Sequence, residues 1–582
     1  MKIIGIYDGH NASVSLIENN KLICSVEEEK FSKLKNHDTR NTSIGAPINA
    51  LNFCLSKTKY NCKYFVLALC DPSILVKKSI NFFFEILKKK NFKKRNNFFI
   101  QSNIDIKNYE QYIYKYQLNR INNIKNIIKK YVKNPIIKLI PHHEAHAASS
   151  YYSSGLNKSI VFSFDGRGDA LSGSIYLANK GKLNLIKEYD FINSIGHFYS
   201  AITVSCGFKA IRHEGKITGL SASGIVRKEL LGNFKSLIFV KNGNIISNLY
   251  SNVALGPYPH SLFGEAIKKI KKITKNYNIR DISATAQCYT ETLVLKLINH
   301  FCRKYKYANL CLAGGLFANV LINKKILEQK YCKSIFIHPA MSDGGISYGA
   351  AISYYNKFKT KKKYIPLKKF NVYIGPKIST DNIENFLKKK KLNFRIYKNA
   401  ENKVAQLLYK KKIISRCVGS LEYGPRALGN RSILFHAGDE KVNIWLNKQL
   451  NRSEFMPFAP ILLKEIYNKF LKIKKTLNKT YKFMTIAAQT TQEMKDKSPS
   501  VVHIDGTVRP QILSKVDNPK LYNLLKKYYE LSSIPCLINT SFNLHDAPMV
   551  CNSKDAIESF IESKLDYLQL NNYIISRFKN FE

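Results

Sequence analysis

A strand that ends in Asp-Gly and folds straight into a hairpin occurs twice in this chain, at Asp8-Gly9 and again at Asp165-Gly166. In the first copy KIIGIY reads as an apolar strand, ASVSLI alternates as a second, Asn19-Asn20 makes the turn, and KLICSVE follows. In the second, SIVFSF leads into Asp165-Gly166-Arg167-Gly168-Asp169, then GSIYLA, a Lys180-Gly181 turn and KLNLIKEY. An internal repeat of this kind predicts two related α/β lobes. Glycine in each turn lets backbone approach an anion, and the neighbouring Asp can reach a metal–phosphate assembly, so two facing copies can clamp one nucleotide. Two ordinary hairpins with Asx turns are the plainer alternative for each copy alone.

A third element of the same kind is NLCLAGGLFANVLINKKIL, where a strand runs into Gly314-Gly315 and then a helix whose start can hold a nucleotide. Soon after, SIFIHPAMSDGGISYGAAISYY gives a strand, Asp343-Gly344-Gly345 and a small-residue helix. Between the two hairpin copies, about residues 76–131 carry helical spacing and no chemical signature, which predicts a helical insertion with a solvated charged face. The basic, irregular stretch near residues 356–369 is the linker candidate, dividing 1–355 from a mixed αβ part at 370–582.

Composition narrows the class. The 582 residues are 45 % apolar and 23 % charged, which excludes wholesale disorder. No apolar run reaches the roughly 18 residues a membrane span needs, and Asp8 arrives too early for a signal peptide. Twelve scattered cysteines without a CxxC pair argue against a disulfide framework or zinc ribbon and for a reduced, cytoplasmic enzyme. Lys and Arg number 93 against 41 Asp and Glu, a net charge of +52 that would suit polyanions. The excess is spread along a chain also heavy in Asn, Ile, Tyr and Phe, so a general drift in residue usage accounts for it better than a nucleic-acid partner.

Five constellations can carry chemistry. In PHHEAHAAS, His142 and His146 are four apart, so a helix places them on one face where they could share a metal, with Asp343 the natural distant third ligand. The spacing is not that of the HExxH zinc peptidases, and a capping or packing role competes evenly. GSLEYGPRALGNRSIL brackets a small-residue turn with Arg426 and Arg431, a grip suited to a planar or phosphorylated anion. LNKQLNRSEFMPFAP supplies Lys448 and Arg452, HIDGTVRPQIL supplies Arg509, and IPCLINTSFN empties a strand into Asn539 and Ser541. Singly each could be ordinary loop chemistry. Together they point to a small anionic substrate beside a nucleotide.

These motifs, in this order and over nearly the whole chain, resemble the O-carbamoyltransferases that include the nodulation-factor, cephalosporin and tobramycin enzymes. EYGPRALGNRSIL and DGTVRPQ are the most specific strings, joined by GIYDGHNASVSLI, EEEKF, HHEAHAAS, DGRGD, EGKITGLSASG, LAGGLFANV and SDGGISYGAA. The resemblance implies a bilobal N-terminal domain of the actin, sugar-kinase and heat-shock ATPase type with an internal repeat, followed by an α+β YrdC-like domain. It implies that the second domain makes carbamoyladenylate from carbamoyl phosphate and ATP with Mg, and that the first passes the carbamoyl group to a hydroxyl of a sugar or natural product with an iron or similar divalent metal. Residue by residue, His142, His146 and Asp343 would be metal ligands and Asp165 would sit at the metal–nucleotide site. Glu214, Lys216, Gly314, Gly315 and Asn319 would line the nucleotide, and His10 would stand near the acceptor hydroxyl. Arg426, Arg431, Lys448, Arg452, Arg509, Asn539 and Ser541 would hold carbamoyl phosphate and the ATP phosphates. Met456 stands where many members have Arg, so no phosphate contact is placed there. The resemblance gives no membrane partner, is compatible with a homodimer, and leaves the acceptor open. The alternatives are a tRNA threonylcarbamoyladenosine-type enzyme, which shares the domain types, and a degenerate basic nucleic-acid-binding protein.

Overall fold

The structure is a computed structural model that describes residues 1–89, 106–250, 260–358, 364–367, 369–442, 458–473, 479–544 and 546–578. Its N-terminal part is built on two five-stranded sheets. The first holds β1 (Lys2–Tyr7), β2 (Ser13–Glu18), β3 (Lys21–Glu27), β4 (Tyr64–Leu67) and β5 (Ile136–Leu139) in the spatial order 3-2-1-4-5. The second holds β6 (Lys158–Gly168), β7 (Leu171–Asn179), β8 (Lys182–Asp190), β9 (Asn309–Ala313) and β10 (Ser334–Ile337) in the order 8-7-6-9-10. The two orders are the same order. In each, the first three strands pair antiparallel and the last two join parallel to the opening strand. β1 is apolar almost throughout because it is covered on both faces, which central strands with parallel partners require.

The helices that leave the two sheets cross over. α3 (His142–Ser154) follows β5 of the first sheet yet packs on β6, β7 and β9 of the second. The helix after β10 of the second sheet, Ile346–Phe358, packs on β1, β2 and β4 of the first. The two helices meet where Gly349 lies against the Ala145 carbonyl, and a Cβ at 349 would fall 1.8 Å from that oxygen. Ser347 Oγ accepts from Ser13 and bonds Ser15, tying the returning helix to the first hairpin.

Two further helices, α1 (Pro72–Lys89) and α2 (Ile106–Tyr131), lie between β4 and β5 and pack on each other. Ile124, Ile127 and Ile128 of α2 join the core under the first sheet, so one face is apolar and anchored while the lysines turn outward. α4 (Ile195–Ser205), α5 (Ile279–Tyr305) and α6 (Val320–Leu327) belong to the second half, and the helix Ile346–Phe358 is α7.

The C-terminal part is α+β, built on one mixed eight-stranded sheet. In spatial order its strands are Asn393–Ile396, Tyr573–Ser576, Tyr567–Leu570, Ile414–Cys417, Arg431–His436, Cys536–Ser541, Ala459–Leu463 and Gln511–Leu513. Helices Ala400–Tyr409 and Pro519–Ser532 pack together over it. The joint between the two parts is specific. His338 Nε2 bonds Tyr423 Oη at 3.0 Å, Asn323 Nδ2 donates to the Thr485 carbonyl at 2.8 Å, and Thr480 Oγ1 donates to the Ile335 carbonyl at 3.0 Å. No helix among the described residues is long and apolar enough to cross a membrane.

Candidate functional site

The helix exchange brings four side chains from three places to one point. α3 starts directly after β5 and carries His142 and His146 toward the second lobe. There Asp165 ends the apolar run of β6, and Asp343 opens the turn before α7. One donor atom from each of His142, His146, Asp165 and Asp343 lies within 4.8 Å of the other three. His146 Nε2 is 3.3 Å from an oxygen of Asp165 and 3.3 Å from one of Asp343, and His142 Nε2 is 3.5 Å from Asp343. Both histidines are buried, yet His142 Nε2 and both ring nitrogens of His146 lack a well-aligned hydrogen-bond partner. Buried polar atoms are normally paired, so this donor set fits a bound cation. Two imidazoles and two carboxylates suit a divalent transition metal.

The surroundings fix the donors. Tyr7 Oη donates to Asp343 Oδ2 at 2.8 Å, and the His142 backbone N–H donates to Asp169 Oδ2 at 2.7 Å. His143, the neighbour that points away, bonds Ser163 and the Leu171 carbonyl and so pins α3 to the second sheet. Burial by itself would lower His146, but the carboxylates of Asp165 and Asp343 outweigh it and hold the imidazole up at about 9. Burial would raise Asp343, but the two histidines facing it hold its carboxyl well below the usual range. His10 is half-buried and within Coulombic reach of Asp343 and Asp38.

The first Asp-Gly turn is used differently from the second. Asp8 is fully buried and takes a two-pronged ion pair from Arg120 of α2, with Nη2 2.6 Å from Oδ1 and Nε 3.0 Å from Oδ2. The insertion expected to be chemically silent thus reaches the cleft. Nothing in the Lys- and Asn-rich pattern distinguishes Arg120 from its solvated neighbours. Tyr7 was equally hidden, as one apolar letter of a strand.

Of the residues expected around a nucleotide, Gly315 meets the cluster directly. Gly315 packs so close to Asp165 that a Cβ there would sit 2.9 Å from its Oδ1. Asn319 caps α6, its Oδ1 accepting from Leu321 and Ile322, while its Nδ2 donates to Gln287 Oε1 at 2.8 Å. Glu214 Oε1 accepts from Ser200 and from the Ile211 N–H, and Lys216 lies 5.4 Å from the Phe208 ring centroid. Gly314 has φ 98°, a left-handed turn that glycine allows.

In the C-terminal part the strand register assembles a second constellation. Ser432 faces Ser541 and Leu434 faces Asn539 across one antiparallel pair. Asn539 Nδ2 donates to the Ala427 carbonyl and to Gln511 Oε1, leaving its Oδ1 buried without a partner. Gln511 donates to the Leu428 carbonyl. Arg426, Arg509, Asn539 and Ser541 are therefore brought to one end of the sheet, with both arginines half-buried. Arg431 corrects the sequence expectation. It is fully buried and donates to the carbonyls of Pro376, Val418, Gly419 and Asn430, so it braces the turn instead of presenting to an anion. Glu422 shapes the same turn, its Oε1 accepting from the N–H groups of Leu428, Asn430 and Arg431. Lys448 and Arg452, like Met456, lie outside the described residues.

Two family models match the chain, carbamoyltransferase N-terminus over residues 2–352 and carbamoyltransferase C-terminus over residues 405–577. The chain belongs to the carbamoyltransferase family. An uncharacterized protein of Methanocaldococcus jannaschii is 31 % identical, covering 99 % of this chain and 100 % of its own. Nodulation protein NolO of Bradyrhizobium diazoefficiens is 28 % identical over 75 % of this chain and 78 % of its own. Nodulation protein U of Sinorhizobium fredii is 26 % identical over 70 % and 72 %. Among solved structures, full-length HypF in a phosphate- and nucleotide-bound form aligns at TM-score 0.28 and 16 % identity, over 42 % of this chain and 50 % of that one. A ROK family glucokinase of Streptomyces griseus aligns at TM-score 0.29 and 10 % identity, over 60 % and 98 %. The duplicated architecture described above rests on strand order and not on those alignments. As a carbamoyltransferase, the chain needs a place where an activated carbamoyl group meets its acceptor, and the cluster between the lobes is the candidate.

Proposed function

We propose that this carbamoyltransferase is an ATP-dependent O-carbamoyltransferase with two chambers, residues 370–582 activating the carbamoyl group and residues 1–355 delivering it. The observation that carries the reading is the four-donor cluster at the crossing of the lobes, in a chain that matches the family along both parts. In the activating chamber Arg426 and Arg509 would neutralise carbamoyl phosphate and the ATP phosphates, with Asn539 and Ser541 orienting them. Lys448 and Arg452 are proposed to join them. Water hydrolyses carbamoyl phosphate to carbamate and inorganic phosphate; the carbamate oxygen then attacks the α-phosphorus of ATP, and pyrophosphate departs to leave carbamoyladenylate. A mixed anhydride of this kind must be kept from water, which favours passage within one polypeptide.

In the delivery chamber His142, His146, Asp165 and Asp343 would hold a divalent metal, with iron the reading suggested by the family resemblance. When bound, such an ion supplies Lewis-acid polarisation of an oxygen. Gly314, Gly315 and Asn319, with Glu214 and Lys216, would cradle the nucleotide end. His10 would take the proton of the acceptor hydroxyl as its oxygen attacks the carbamoyl carbon and AMP leaves, a contribution typically about 10²–10⁴-fold. Tyr7 and Asp169 position the ligands through the bonds described above. The twelve free cysteines accord with a reducing, cytoplasmic setting.

The test uses purified full-length protein with carbamoyl phosphate and ATP. Pyrophosphate release is expected, with Arg509→Ala abolishing it and His146→Ala sparing it. His146→Ala should instead lose the bound metal, about one ion per chain in the parent protein. The reading fails if neither pyrophosphate nor carbamoyladenylate ever forms, and its division of labour fails if both variants lose the same half-reaction.

A further inference from the structure

The second Asp-Gly turn carries a residue that the reading above leaves idle. Arg167 lies between Asp165, in the cluster, and Asp169, which accepts from the His142 backbone. Its guanidinium lies over the Phe191 ring, 4.6 Å from the centroid, and among the described residues it makes no ion pair or hydrogen bond. Its side chain is exposed to solvent. Two nearby carboxylates are already paired. Asp8 is taken by Arg120, and Asp38 by Arg40, whose Nε is 2.8 Å from Oδ1. Asp165 and Asp343 are turned into the cluster.

Tyr109, Tyr116, Tyr250 and Arg40 stand around Arg167. None is a carboxylate, and none comes from the Gly314–Asn319 loop that meets Asp165. His197 closes the same wall, its Nδ1 3.0 Å from Tyr250 Oη. An uncompensated guanidinium beside aromatic walls, two residues from a candidate metal ligand, is a receptor for an anion on a ring-shaped molecule.

We propose that the acceptor is an acidic hydroxyl compound, a sugar-like molecule carrying a carboxylate or phosphate, and that Arg167 binds that anionic group while the hydroxyl is presented to the cluster. Arg167 is then a specificity determinant of the acceptor site. The inference rests on the reading that carbamoyl transfer occurs at the cluster. Pyrophosphate release by the same wild-type preparation tests that reading separately, because acceptor charge plays no part in it.

The experiment is calorimetric titration of the full-length protein with D-glucuronate, D-glucose 6-phosphate, D-glucose, D-glucosamine and AMP, comparing wild type with Arg167→Gln and Arg167→Lys. The two acidic sugars should bind at least about tenfold more tightly than glucose or glucosamine, because a charge-assisted pair is made only with them. Arg167→Gln should bring them within about twofold of glucose, and Arg167→Lys should keep part of the preference. An unchanged unfolding midpoint shows that the variants are folded, since Arg167 donates no hydrogen bond. Indifference to charge overturns the proposal, and so does failure of all four sugars to bind. A preference that survives Arg167→Gln overturns it too. If Arg167→Gln weakens AMP and leaves the sugars alone, the residue serves the phosphate of the adenylate and the acceptor assignment falls.

Discussion

Arg120 and Asp8 show how one side chain changes the meaning of a motif. Both Asp-Gly turns look equivalent in sequence, but a guanidinium from α2 claims the first carboxylate and leaves the second for the cluster. Removing one partner of a buried pair strands a charge, so Arg120→Met should cost about 3–5 kcal/mol in urea unfolding, and Asp8→Asn added to it should restore part of that. His338 sets a pH limit on the same scale. Burial, with His146 adding to it, pushes the ring down to about 3, and its nitrogens bond Ser153 and Tyr423. A folded value below the unfolded one near 6.5 means that the unfolded chain binds the extra proton. Stability should therefore fall as pH drops below about 6.5 and level off near 3, by up to about 1.4 kcal/mol per unit. His338→Gln should flatten that part of the urea-midpoint profile. His142 and His146 were legible as a pair because four-residue spacing is a helix face. Arg431 was not legible as a brace, because an arginine in a polar turn reads the same whether it grips a phosphate or four carbonyls.

At the level of elements, the period-two strands and their Asp-Gly endings mark the duplicated hairpin. Their exchange of helices was hidden, since no local pattern says which sheet a helix will pack on. That exchange is what moves Asp165 into the ligand set beside the histidines. It depends on Gly349, where α3 and α7 touch backbone to backbone. Gly349→Ala should force the helices apart, cost about 2–4 kcal/mol, and lower the metal content of purified protein. Gly232, in the helix Lys228–Leu237 with nothing within 4 Å of a Cβ, is the control. Gly232→Ala should leave metal content unchanged and raise stability by up to about 1 kcal/mol. The helical character of the segment before β5 was readable from spacing, while its contact with the cleft was not.

Over the whole molecule, the N- and C-terminal parts are joined through Tyr423, whose ring packs on His338 and Phe370. Both parts should unfold in one calorimetric transition, and Tyr423→Ala, a deletion from a filled joint costing about 3–5 kcal/mol, should split it in two. Order along the chain was visible early because each motif stood in its own segment. The convergence of Arg426, Arg509, Asn539 and Ser541 was not, because it depends on strand register across more than a hundred residues. The charge of +52 leaves little trace at the candidate cluster, where carboxylates and imidazoles meet. The crossing of α3 and α7 carries one more implication. Each lobe is floored by a piece grown from the other, so neither is a finished object by itself. Sliding one lobe past its twin would drag both floors along, and with them the four donor side chains gathered at the crossing.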